Sequence, residues 1–193
     1  MLTKKGQKTR ARIVESAADL VLARGVGGTS LDDICAGTQT SRSQLFHYFP
    51  SGKGELVGAL ADLQAERVLD AQRPWLEALD SFEAWERWRD AVLAHYGAQP
   101  HWGCPIGALS AEYVGREAAR AHMERWRSHL RDGIERMRAA GILRDDADPE
   151  ALSLAVFAAL HGGLLLTQTM ESLEPLRAAL DGALAALRES KGV

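Results

Sequence analysis

Directly after a residue able to cap a helix, the chain places Arg42, Ser43, Gln44 and His47, and none of the four is needed for a core. Arginine presents a fork that matches the acceptors of guanine, and glutamine pairs in the same bidentate manner with adenine. On the first turns of a helix these side chains suit the major groove of DNA. The elements that must position them are legible on either side. Thr29 or Ser30 caps one short helix with apolar positions Leu31, Ile34 and Cys35. Ser41 caps a second with apolar positions Leu45, Phe46 and Phe49. Only a short turn fits between them, so the spacing predicts a helix-turn-helix.

Charge is distributed to suit that reading. The whole chain carries −3, yet residues 1–53 hold eight Lys or Arg against four Asp or Glu, which is +4 and leaves −7 for the remainder. Local positive charge is what a phosphate-facing module needs. Lys4, Lys5, Lys8, Arg10 and Arg12 precede or open the first helix and are placed to lie along the backbone, where each neutralised phosphate releases counterion; a solvated, frayed terminus is the alternative.

The 193 residues suffice for one or two domains with a good core. No apolar run approaches the roughly 18 residues of a membrane span, and the first residues lack the apolar core of a signal peptide, so a cytoplasmic chain without membrane contact is expected. Cys35 and Cys104 are then expected outside any disulfide. No CxxC, HExxH or Gly-rich phosphate loop occurs, and no catalytic residue, metal site or cofactor is expected.

Helical periodicity runs through the chain without strand alternation. It predicts helices over 8–24, with Gly25 as C-cap, then the helix-turn-helix, a long helix through Leu56 to Leu69, and further helices over 81–96, 105–114, 116–140, 148–171 and 173–189. The expected architecture is all-α: an N-terminal three-helix helix-turn-helix DNA-binding domain, residues 1–52, and a larger C-terminal helical ligand-binding and dimerisation domain, residues 53–193.

All five tryptophans, Trp75, Trp85, Trp88, Trp102 and Trp126, fall in residues 75–126. Such a cluster suits either a core or an aromatic pocket. Cys104, between Gly103 and Pro105, sits at a helix start where the dipole favours a thiolate, and a packing role there is the plainer reading. The last two helices are apolar over more of their surface than one intramolecular face requires. Leu165, Leu176, Leu180, Leu184 and Leu187 are therefore expected at a two-fold helical interface between subunits; the alternative is that they are internal to a larger monomer core.

Three N-terminal helices, a turn, the run Leu45 to Phe49, a Lys opening a fourth helix and a larger helical remainder resemble the TetR/AcrR family of transcriptional regulators. Gly25, Thr29, Ile34, Ser41, Leu45, Phe49, Lys53 and Leu56 fall on that pattern. Three positions depart from it: Gln39 stands for the usual turn glycine, Phe46 replaces a tyrosine, and Gly52 reads as one extra residue before Lys53. His101 to Leu109, followed by Glu112, is similar to the Gly-Cys-Pro segment of the LmrA/YxaF-like branch. The resemblance implies DNA contacts at Thr29, Ser41, Tyr48 and Lys53 besides Arg42, Ser43, Gln44 and His47. It also implies a homodimeric repressor that is released from a near-palindromic duplex operator by a small hydrophobic or aromatic effector. The pocket residues expected on that basis are Trp85, Trp88, Trp102, Cys104, Leu109, Tyr113, Trp126, Phe157 and His161. The competing reading is an all-helical small-molecule carrier or enzyme that does not bind DNA.

Overall fold

The computed structural model describes residues 2–99, 104–110 and 116–192. Its helices are α1 (Lys4–Arg24), α2 (Leu31–Thr38), α3 (Arg42–Tyr48), α4 (Lys53–Asp70), α5 (Phe82–Gly97), α6 (Pro105–Ser110), α7 (Arg116–Ala139), α8 (Pro149–Met170) and α9 (Glu174–Glu189), with a 3-10 turn at Trp75–Glu77. Among the described residues there is no named strand, and one isolated bridge joins Leu143 to Lys191.

Two compact units divide the chain. The first is Met1–Arg67 with Pro105–His122, and the second is Val68–Cys104 with Met123–Val193. This differs from a cut at residue 52, and the reason lies in α4. Leu56, Val57, Leu60 and Ala61 are at most 1% exposed and close the same core as Ile13, Val14, Ala17, Ile34, Leu45 and Phe49. The reader is thus roofed by α4, and α4 belongs to it as far as Arg67.

Within the first unit each short helix is fixed at its ends. Ser30 accepts from the Asp33 amide at 3.1 Å while the Asp33 carboxylate accepts from the Ser30 amide at 2.8 Å, a reciprocal capping box on α2. The Ser30 hydroxyl, which also donates to the Asp33 carboxylate at 2.6 Å, and then the Ser30 amide and nearby Arg24 hold the Asp33 carboxyl below its usual pKa, against a smaller effect of burial. Ser41 caps α3 through the Gln44 amide. Between the two helices Gln39 takes the left-handed conformation, φ 52° and ψ 44°, while the Thr40 amide donates to the Cys35 carbonyl. A position that usually belongs to glycine is here occupied by a residue with a Cβ, at a steric cost. The extra residue Gly52 adopts φ +74° and turns the chain into α4.

The second unit is built on aromatic and aliphatic side chains around one buried amide. Trp85, Trp88 and Trp126 are fully buried. Gln72 Oε1 accepts from the indole N–H of Trp88 at 2.8 Å and of Trp126 at 3.1 Å, while Gln72 Nε2 donates to the Val68 carbonyl at 2.7 Å. Nothing in the sequence patterning singles out Gln72. Helices α8 and α9 pack closely because Gly163 lets the backbones approach: a Cβ there would come within 2.9 Å of Leu176 Cα.

A correction concerns α8. Its 22 residues carry no charged side chain after Glu150, and by length and composition it is able to cross a membrane, contrary to the expectation that no apolar run reaches that length. One third of its most apolar window is buried.

Two stability outcomes follow. Gln39→Gly relieves the left-handed strain and should raise the reader's stability by about 0.5–1 kcal/mol, after the entropy lost to glycine in the unfolded chain; thermal unfolding of the variant tests the sign. Gln72→Ala leaves two buried indole donors without an acceptor and should cost about 2–5 kcal/mol, read as a lower urea midpoint.

Candidate nucleic-acid interface

Helix α3 shows Arg42, Ser43, Gln44, Phe46 and His47 to solvent, while Leu45 (1% exposed) and Phe49 at its C-cap (0%) face inward. The four residues expected to read bases therefore share one accessible surface. Phe46 joins them at 42% exposure, although its position in the sequence marks it as apolar core. Arg42 lies 3.7 Å from Asp32, an exposed pair of small energetic worth that leaves the guanidinium able to exchange partners. Ser41 is exposed beside them. Tyr48 is half-buried, with its ring edge-on to His47 at 5.0 Å.

Of the residues expected at DNA, Thr29 is corrected and Lys53 has a partner within the first unit. Thr29 is fully buried and its hydroxyl donates to the Gly25 carbonyl at 2.7 Å, so it closes the α1–α2 turn and does not face a ligand. The Lys53 ammonium, expected on phosphate, donates to the Val26 carbonyl at 2.7 Å and ties the start of α4 to that turn. Arg12 and Arg10 are likewise engaged. Arg12 donates to the Thr38 carbonyl at 2.5 Å, and the Arg10 guanidinium sits 4.8 Å over the Phe49 ring. Lys4, Lys5 and Lys8 remain exposed along α1.

The residues expected at an effector pocket divide between the units. In the second unit, Trp126, Phe157 and His161 form an aromatic group with centroid separations of 5.5, 5.2 and 4.2 Å, and Trp85 stands edge-on to Trp88 at 5.6 Å. The Nε1 of Trp85, the hydroxyl of Tyr96 and Nε2 of His161 are buried without a hydrogen-bond partner among the described residues. Burial lowers the His161 pKa, against the Phe157 carbonyl, which raises it. Burial first, and the neighbouring Cys104 second, push Tyr96 well up. Cys104 is half-buried. Leu109 is corrected: it packs into the core of the first unit, among α1 and α4 residues. Trp102 and Tyr113 lie outside the described residues.

The expected subunit contact is corrected in the same way. Leu176, Leu180, Leu184 and Leu187 are at most 3% exposed, because α9 presses this stripe into the chain's own core. Leu165 stays open at 64%, with Leu154 at 56%, Leu166 at 51% and Met170 at 62% on the same helix. On α9 the exposed face carries small residues, Ala178, Gly182, Ala185 and Ala186.

A capped, exposed recognition helix held by two others defines a helix-turn-helix DNA-binding regulator. Residues 13–60 match the family model described as bacterial regulatory proteins of the tetR family, and residues 79–183 match a tetracyclin repressor-like C-terminal domain. The chain is 31% identical to an uncharacterised HTH-type transcriptional regulator of Mycobacterium tuberculosis, over 88% of this chain and 89% of that one. It is 24% identical to the HTH-type transcriptional regulator LmrA of Bacillus subtilis, over 87% and 90%. The crystal structure of a TetR transcriptional regulator from Chloroflexus aurantiacus superposes with a TM-score of 0.80 at 26% identity, covering 99% of this chain and all of that one. The chain belongs to the TetR family of transcriptional regulators.

The geometry separates two cations that the sequence places together. Arg42→Ala should lower affinity and relax preference at one base position by about 1–3 kcal/mol, since a bidentate contact carries discrimination. Lys53→Met should instead lower the melting temperature of the DNA-free protein, by removing a partly buried charged hydrogen bond worth about 1–2 kcal/mol. Fluorescence anisotropy with specific and random duplexes, alongside calorimetry, distinguishes the two.

Proposed function

We propose that this regulator is a homodimeric repressor that holds a near-palindromic operator with α3 of each subunit and leaves it when a small aromatic or hydrophobic molecule binds in the second unit. The observation that carries the operator reading is the accessible row Arg42, Ser43, Gln44, Phe46 and His47 on a helix whose other side is fully used for packing. Arg42 and Gln44 supply bidentate donors, and the Phe46 ring suits the methyl group of thymine. Lys4, Lys5 and Lys8 add contacts to phosphate without sequence content.

The dimer reading rests on the apolar residues α8 leaves uncovered together with the small residues on the open face of α9. A chain with no charge from Ala151 to Met170 and four large apolar side chains outside needs a cover, and a second copy meeting it across a two-fold axis gives one. This also accounts for α8 without a bilayer and favours a cytoplasmic protein.

The effector reading rests on the buried polar atoms of Trp85, Tyr96 and His161, because an apolar enclosure with a few unpaired polar groups is how a ligand is oriented. Trp88 and Trp126 already give their N–H groups to Gln72, so they offer ring surface only. An effector that weakens operator binding must itself bind more weakly to the DNA-bound form, by the same factor. Helix α4, which supplies residues to both units, is the segment through which that coupling would run.

Selection from a random duplex pool should return two half-sites related by a dyad, about one helical turn or a multiple apart. Leu165→Asp with Leu166→Asp should yield a folded monomer in sedimentation with operator affinity reduced at least a hundredfold, whereas Leu180→Asp should unfold the chain. A wild-type protein that sediments as one subunit at micromolar concentration would remove the dimer reading. Phe157→Ala and His161→Leu should weaken an aromatic effector while sparing ligand-free operator binding. Trp126 is a poorer test, since its loss also disturbs Gln72.

A further inference from the structure

The first unit contains a narrow cleft that belongs neither to the DNA-facing surface nor to the aromatic group of the second unit. Its walls are Ala18 and Val21 of α1, Val26 of the following turn, Leu60 of α4 and Leu109 of α6, all carbon surface. Gln64 also lines it. That side chain is 5% exposed and its Nε2 has no hydrogen-bond partner among the described residues. An amide donor held in an otherwise apolar enclosure is the arrangement by which proteins select a neutral ligand carrying one acceptor oxygen.

We infer that this cleft binds a small, uncharged, mostly apolar molecule through a single hydrogen bond from Gln64 Nε2 to a carbonyl or ether oxygen of the ligand. The walls are aliphatic and carry no charged side chain, so anions and cations are refused for want of a counter-charge. As it stands, the cleft leaves about 20 Å³ to the centres of water-sized molecules, room for about one water, so a ligand must part the walls slightly. The walls that would part are connected to the reader. Val26 is bonded to Lys53 through its carbonyl, and Leu60 lies in the same core as Leu45 and Phe49, the two residues that seat α3. Occupancy therefore biases the packing of α1 against α4, and with it the setting of the recognition helix. The site is independent of the effector site proposed for the second unit.

The test uses the full-length protein with ¹³C-methyl-labelled valine and leucine. Two probes of nearly equal shape are titrated, cyclohexanone, which has an acceptor oxygen, and methylenecyclohexane, which has none. The expected result is saturable shifts of the Val21, Val26, Leu60 and Leu109 methyls, with cyclohexanone about tenfold tighter, the worth of one hydrogen bond to an otherwise orphaned donor. In Gln64→Leu, which keeps the volume and removes the donor, the two probes should bind alike, and the ligand-free variant should melt no lower than wild type. The inference is overturned if those methyls do not shift, if wild type fails to prefer cyclohexanone, or if the preference survives in Gln64→Leu. Shifts confined to the second unit, for example at Leu130 and Leu160, would also overturn it while leaving the effector reading of that unit intact.

Discussion

Helix α3 has seven residues, far too few to be helical in water by its own hydrogen bonds. Its existence therefore depends on the burial of Leu45 and Phe49, four positions apart, in the core that α1 and α4 supply. Several polar contacts of the first unit serve that seating. Ser41 caps the helix, Arg12 holds the Thr38 carbonyl at the turn before it, and Lys53 fastens the start of α4 to Val26. With two apolar residues fixed, the periodicity of the helix leaves Arg42, Ser43, Gln44, Phe46 and His47 no direction but outward. The reading surface is a consequence of the packing, and the base contacts need no separate means of alignment.

The same dependence explains what the sequence could and could not disclose. Caps and helix periods are local, so the helix-turn-helix, the cap at Ser41, a cap at Thr29 or Ser30 that the structure assigns to Ser30, and the C-cap at Gly25 were legible. The destination of a long cation is not local. Lys53 and Arg12 look like phosphate ligands in sequence, yet each finds a backbone carbonyl 26 or 27 residues away. A residue that sits on a family pattern because it closes a turn, as Thr29 does, cannot be told by spacing from one that sits there because it touches DNA. Phe46 errs in the opposite sense, since one apolar residue too many on a short helix must face solvent.

In the second unit the ambiguity concerns which apolar surface is spent inside the chain. Both last helices read as apolar beyond one face, and either could have supplied an intersubunit seam. Gly163 decides between them: by letting α8 approach the Leu176 backbone, it draws the leucine stripe of α9 inward and turns Leu154, Leu165, Leu166 and Met170 out. No property of Leu180 taken alone distinguishes it from Leu165. Gln72 was invisible for a related reason. A single glutamine carries no periodicity, and its role exists only because Trp88 and Trp126, 38 residues apart, bring their indoles to one oxygen.

That shared oxygen also constrains where a ligand can act. An indole whose N–H is satisfied contributes shape but no direction, so the groups left to orient the proposed effector are those without partners among the described residues, on Trp85, Tyr96 and His161. His161 is kept neutral by burial, and because its Nδ1–H donates to the Phe157 carbonyl at 3.0 Å, its Nε2 is left as an acceptor. Tyr96, held protonated by the same burial, is available as a hydroxyl. A charged effector would face the full desolvation cost with no counter-ion among these groups. On the effector reading proposed above, a neutral, flat molecule with one or two polar atoms would suit the second unit, because such a molecule can meet the groups the core leaves unpaired.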